Sequence, residues 1–291
     1  MGTLLVQCFS GLLEAMFLFL LASGLSLIFG VSRVINISHG AFYTLGAYAM
    51  FSASRGGALS PLLFALAALG TALAIGALGA LFEIVVLRRS YRGGMLIVAL
   101  VTFGALAVIE EMVKIVWGAD LAACPFPRGL EGSVMVGGRG LPAYGLALLG
   151  AGATTALVMW YAVERTRLGL MIRAAAIDRE MLSVLGGNVP AIFTLTFAGG
   201  TFLAGLAGAL SAPMVSILPN MGSSIIIQAF AVVVIGGLGS LPGSLVGALI
   251  VGQAQAFGIL IAPESTLVLL YLLMAIVLVI RPAGLMGRTA V

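Results

Sequence analysis

The chain has 291 residues, of which 62% are hydrophobic and only 8% charged. A soluble globular domain carries about 25% charged residues, so a water-soluble fold is excluded and lipid must be the solvent for so much apolar surface. The net charge of +4 is too small to imply nucleic acid, and the two cysteines, Cys8 and Cys124, are too far apart for a disulfide framework or a metal motif.

At about 20 residues per crossing, the length predicts an all-α polytopic membrane helical bundle. Eight or nine transmembrane segments are expected, some of them broken or re-entrant, in a single transmembrane domain over 1–291. Apolar stretches run near 11–31, 40–54, 61–87, 95–117, 143–163, 189–211, 224–237, 241–262 and 265–280. The first has no basic region before it and no small-residue cleavage site, and is expected to be retained as a span. Arg33, Asn36 and His39 interrupt the second, so 32–54 reads either as a true span or as a broken, re-entrant one. The run at 224–237 is short for a full crossing.

Basic residues mark the orientation. Of 14, 13 are arginine and Lys114 is the one lysine. They cluster at Arg88, Arg89 and Arg92, at Arg165, Arg167, Arg173 and Arg179, and in the tail at Arg281 and Arg288. The positive-inside rule places all three clusters in the cytoplasm. The segment 118–142 is then outside, where Asp120, Arg128, Glu131 and Arg139 balance in charge. The N-terminus is outside if 40–54 crosses and inside if it is re-entrant. Small residues recur every fourth position at Ala68-Ala72-Gly76-Ala80, Gly200-Ala204-Gly208-Ala212 and Ser244-Ala248-Gly252-Ala256. Such stripes let helices approach closely in lipid.

Several chemistries are missing. There is no G-x-x-x-x-G-K-[ST] phosphate loop and no G-x-S-x-G elbow, and one histidine with two isolated cysteines does not make a metal-hydrolase site. No catalytic or metal-ligating residue and no cofactor is therefore expected. Acidic residues within the spans are few: Glu14, Glu83, Glu110 and Glu111. Glu14 and Glu83 lie near span ends, where they snorkel or pair. Glu110 and Lys114 have i,i+4 spacing and read as a structural pair.

Two segments carry information. In Gly30–Gly40, polar residues sit between two apolar runs with almost no loop. Asn36, Ser38 and His39 supply donors and acceptors, and Gly40 permits close approach. A broken helix lining a pathway and an ordinary turn at the membrane face are both compatible with this. The second segment is the loop 164–188. Over 170–185, Leu170, Ala174, Ile177, Met181 and Leu185 share one face at helical spacing, so an amphipathic helix is expected, stopped by Gly186-Gly187. Its polar face mixes Asp178 and Glu180 with arginine, which favours docking to a protein partner over lying on lipid.

At these residues the chain resembles the permease subunits of branched-chain amino acid ABC importers, of the LivH kind. The run from Gly24 to Gly40, continuing as Phe42-Tyr43-Thr44-Leu45-Gly46-Ala47-Tyr48, is similar to that family's N-terminal signature. Gly169–Gly186, with Arg173-Ala174, Asp178 and Glu180, resembles its cytoplasmic coupling loop. Gly236–Gly243 and Arg281–Gly287 also match. Met181-Leu182-Ser183 departs from the alanine-rich sequence expected there.

The resemblance implies a multi-pass permease in a bacterial inner membrane, translocating branched-chain amino acids or related small amino acids or amides. Its implied partners are a second permease of the LivM type, two cytoplasmic ATPase subunits that bind the ATP, and a periplasmic substrate-binding protein. It assigns Arg173, Asp178, Glu180 and Gly186 to the ATPase contact, and Asn36, Ser38, His39, Gly40 and Tyr43 to the substrate pathway. The rival readings are a stand-alone ion-coupled carrier of small polar solutes, an intramembrane enzyme using His39, and a scaffold.

Overall fold

The computed structural model describes residues 2–136, 139–261 and 266–287. Arg288 lies outside the described residues, as does the side chain of Arg139. The helices are α1 (Gly2–Ser32), α2 (His39–Ala53), α3 (Pro61–Phe82), α4 (Arg88–Ser90), α5 (Gly94–Trp117), α6 (Ala143–Arg165), α7 (Arg167–Ile177), α8 (Arg179–Val184), α9 (Val189–Ser211), α10 (Met221–Gly236), α11 (Leu241–Ile261) and α12 (Thr266–Ile280). Each expected apolar stretch lies mainly in one of these helices; 61–87 continues past α3 through the π-turn Glu83–Leu87, and 262 and 265 lie outside the described residues. Among the described residues, five helical runs are long and apolar enough to cross a membrane, and one of them, Pro61–Trp117, is long enough to cross twice. The protein is an all-α, multi-pass membrane bundle.

The bundle has two chemically different ends. One carries Arg33, Arg88, Arg92 and the segment 165–187. The other carries an antiparallel hairpin of β1 (Ser133–Val136) and β2 (Arg139–Pro142), which the sequence reading did not anticipate. There, Ala122 and Ile217 exchange backbone bonds of 3.0 and 2.9 Å, Arg128 N–H reaches Leu59 O, and Trp117 Nε1 donates to Ser52 Oγ.

Helices α1, α2 and α9 form the centre. Leu18, Leu20, Phe42, Tyr48 and Leu203 are almost fully buried there. The outer faces of α3, α5, α6 and α12 expose Leu73, Leu96, Ile115, Leu157 and Val279, as lipid contact requires. The small-residue stripes do face neighbouring helices. In α11, Ser244, Ala248, Gly252 and Ala256 are all buried, and Ser244 Oγ lies 2.8 Å from Ser26 Oγ of α1. A Cβ at Gly208 would collide with Tyr43 O, so α2 and α9 touch backbone to backbone. Past α12 the chain turns back to α10, where Leu285 N–H bonds Ile235 O and Met286 N–H bonds Gly236 O, each at 2.9 Å.

The second span is broken. At about 1.5 Å per residue, the 15 residues of α2 cover about 22 Å, less than the roughly 30 Å hydrocarbon core. The non-helical residues 33–36 begin the return from the end of α1, and a turn at 37–38 leads into α2 inside the bundle. The two readings left open for 32–54 each hold in part: the segment is broken at 33–38, yet it crosses, because Arg33 meets the segment 165–187 at one end of the bundle and Ser52 meets Trp117 at the hairpin end.

Candidate functional site

A helix interrupted inside lipid must find partners for its freed backbone groups. Here neighbouring side chains provide them. Ile37 N–H donates to Thr102 Oγ1 of α5 at 3.2 Å, and Val34 N–H donates to Ser32 Oγ at 3.3 Å. Ser38 Oγ donates to Asn36 Oδ1 at 2.6 Å. His39 Nε2 lies 3.1 Å from Leu21 O, so Nε2 carries the proton and Nδ1 keeps its lone pair. A Cβ on Gly40 would strike Gly222 O, which explains glycine where the starts of α2 and α10 meet. The Tyr43 hydroxyl is 2.7 Å from Ser211 Oγ.

All five residues expected on the pathway therefore belong to one polar seam among α1, α2, α5, α9 and α10. The seam is closed, since Asn36, Ser38, His39 and Tyr43 are at most 4% exposed. Asn36 Nδ2 and His39 Nδ1 are buried there with no hydrogen-bond partner.

The loop 164–188 differs from expectation in one way. The single helix expected over 170–185 is two, α7 and α8, divided at Asp178. That residue is extended (φ −146°), and its Oδ1 accepts from Glu180 N–H and Met181 N–H, both at 2.9 Å, so its side chain competes with helix continuation. The expected apolar face is present and turned outward: Leu170, Ile177, Met181 and Leu185 are exposed, as is Val184. The inner face is instead Met171, Ile172, Ala175 and Leu182, packed on Val31, Ile192 and Phe193.

The stop at Gly186 is as expected. Its φ of +85° suits glycine, and Asn188 Oδ1 then caps α9 by accepting from Ala191 N–H. Arg173 is held by Glu164 at 3.3 Å and donates to Val163 O, which fastens α7 under α6. Arg33, at the left-handed φ of 53°, donates to Ala176 O at 3.2 Å and ties the end of α1 to the loop. A cleft of about 170 Å³ opens between them, lined by Arg33, Asp178, Arg179 and Glu180. Of the four residues that the resemblance assigns to the ATPase contact, Asp178 and Glu180 border the cleft, whereas Arg173 and Gly186 do not.

Two polar nodes have partners that the sequence reading did not name. The carboxylate of Glu83 is buried. It meets Arg88 Nη2 at 3.0 Å and accepts from Thr194 Oγ1 at 2.7 Å, while Arg88 Nη2 donates to the same hydroxyl at 2.6 Å. Glu83–Leu87 is a π-turn. Residues five apart diverge by about 140° on an α-helix, at about 100° per residue, so the pair did not stand out by spacing. Tyr91 packs edge-on against Phe193 at 5.7 Å, and burial together with the Glu83 charge pushes its phenol above the usual range.

At the other node, Glu110 does not pair with Lys114 as its spacing suggested. Its Oε1 accepts from Ser223 N–H at 3.0 Å and Ser223 Oγ at 2.6 Å, capping α10 from across the bundle, and Lys114 bonds Glu111 at 2.5 Å instead. The unmet N–H groups at the start of α10 attract a carboxylate more strongly than an exposed ammonium does.

A multi-pass bundle with an unwound polar seam at its centre and a capped amphipathic loop at one end has the build of a transport protein's membrane subunit. The chain belongs to the family described as branched-chain amino acid transport system / permease component, whose model matches residues 7–278. It is 30% identical to the high-affinity branched-chain amino acid permease BraD of Pseudomonas aeruginosa, covering 99% of this chain and 97% of that one. It is 27% identical to LivH of Escherichia coli, with 99% and 96% covered. A solved chain titled PsaBC from Streptococcus pneumoniae in complex with Fab aligns with a TM-score of 0.49 at 13% identity, over 92% of this chain and 89% of that one.

Proposed function

We propose that this chain is the translocating subunit of a bacterial inner-membrane ABC importer for branched-chain amino acids or related small amino acids and amides. In this reading two cytoplasmic ATPase subunits bind the ATP, a LivM-type permease is its membrane partner, and a periplasmic binding protein delivers substrate. The observation that carries the proposal is the outward face of α7 and α8. Leu170, Ile177, Met181, Val184 and Leu185 stand exposed beside Asp178, Arg179 and Glu180, the composition of a helix that docks in a protein groove. Arg173, Asp178, Glu180 and Gly186 serve that contact, with Arg173 and Gly186 setting the position of the helices.

Asn36, Ser38, His39, Gly40 and Tyr43 form the pathway, closed in this state. The unpartnered Asn36 Nδ2 and His39 Nδ1 support this assignment, because a buried polar atom without a partner costs about 1–3 kcal/mol, a cost that a polar substrate group would remove by bonding there. An ion-coupled carrier needs a carboxylate free to take up its ion. Glu83, Glu110 and Glu111 are engaged by Arg88 and Thr194, by Ser223 and by Lys114, whereas Glu14 of α1 makes no hydrogen bond or ion pair among the described residues, so reconstitution has to separate that rival.

The test is reconstitution in proteoliposomes. Leucine uptake is expected only with the binding protein, both ATPases, the second permease and internal ATP. Uptake by the chain alone on an ion gradient would overturn the proposal.

A further inference from the structure

Resting on that reading, we infer that Glu83, Arg88 and Thr194 form a latch through which movement of the loop 164–188 is passed to α3. They are positioning residues for the transport step. Three observations converge on it.

The π-turn and the ion pair join the same two residues. Arg88 N–H donates to Glu83 O in the i→i+5 pattern, while the Arg88 guanidinium grips the Glu83 carboxylate at 3.0 and 3.5 Å. An α-helix would set these side chains on opposite flanks, whereas the wider π-turn brings them together. The ion pair thus selects the π-turn over the α-helical alternative, giving the segment two discrete arrangements.

Thr194 connects this turn to the loop. It stands one turn into α9, close after the Gly186-Gly187 stop and the Asn188 cap. Its hydroxyl accepts from Arg88 at 2.6 Å and reaches Glu83 at 2.7 Å and Pro190 O at 3.0 Å. One hydroxyl proton cannot serve both oxygens at once. A shift of the first turn of α9 therefore trades the Glu83 bond for the Pro190 bond and weakens the hold on the π-turn.

Beyond the latch, α3 and α9 are closely packed. A Cβ on Gly79 would run into Thr201, and one on Gly76 would press on Ala198 O at 3.1 Å. The latch is the polar tie at the end of this contact that lies beside the loop 164–188.

The experiment compares Thr194→Val, which keeps the shape and loses the hydroxyl, with Thr194→Ser, which keeps the hydroxyl. In the complete reconstituted complex, T194V is expected to assemble with the ATPases and hydrolyse ATP as wild type does. Its uptake per ATP should fall about tenfold, the effect of losing one charge-assisted hydrogen bond, and T194S should restore it. Equal uptake per ATP in T194V and wild type would overturn the latch, as would a parallel loss of assembly, hydrolysis and uptake, which marks a merely structural residue.

A second measurement needs no ATPase. Spin labels at Arg92 and Val184 of the isolated chain should report one narrow distance in wild type and T194S and a broad distribution in T194V. An unchanged distribution in T194V sinks the latch. Uptake by the wild-type chain alone sinks the importer reading and leaves this second measurement to decide the latch.

Discussion

At the residue scale, the most consequential side chain is one that the sequence disguised. Glu83 sits in an apolar run near a span end, where pairing was one of two expectations, but its partner lies five residues on. No helical template searches that spacing, because it is productive only in a π-turn. Arg88→Ala would strand the carboxylate. The expected loss is about 2 kcal/mol, below the roughly 3–5 kcal/mol of a fully buried pair because the Arg88 side chain is 40% exposed. Thermal unfolding of the purified chain in detergent should show it, and adding Glu83→Gln should recover part of the loss. No recovery in the double variant would mean that Arg88 acts by packing alone. Glu110 teaches the same lesson from the other side. Its i,i+4 spacing to Lys114 was plain in the sequence, yet the start of α10, distant in the chain, outbids the lysine.

At the scale of elements, helical periodicity located the spans because lipid leaves an apolar segment little choice but a helix. The same periodicity erred over 170–185, where water is near and local capping competes. It found a coherent apolar face but did not see that Asp178 would break the helix. Removing the competitor tests the account. Asp178→Ala should cost about 1 kcal/mol of local stability, read as a roughly fivefold faster amide exchange across 179–184. Exchange that slows instead would mean that α7 and α8 fuse into the single helix that the periodicity favours. In the seam, the polar composition of 36–40 was legible, but its supports were not: Thr102, Ser211 and Gly222 come from three other helices.

At the scale of the whole molecule, the orientation rests on where arginine gathers, and the structure adds a ready internal control. The Cys124 thiol lies on the hairpin side, outside the spans. Burial raises the pKa of the thiol and so disfavours its ionisation, partly offset by Ser54 Oγ at 3.2 Å. Only thiolate attacks maleimide, so near neutral pH Cys124 should stay almost unlabelled in the folded protein and react on denaturation. In a Cys8→Ser background, a cysteine placed at the exposed Leu185 should then label only when the reagent reaches the cytoplasm. Labelling from outside intact cells would invert the bundle and remove the proposed site of ATPase docking.

The return of the tail to α10 sets an order of assembly. The carbonyl oxygens of Ile235 and Gly236 wait for the N–H groups of Leu285 and Met286, which are synthesised some fifty residues later. During translation that end of α10 stays unfinished until α11 and α12 have been inserted, whatever the fate of the earlier spans. A chain truncated at Ala283 would carry every span but leave α10 open to proteolysis at its glycine-rich end. Restoring Gly284–Gly287 would close it.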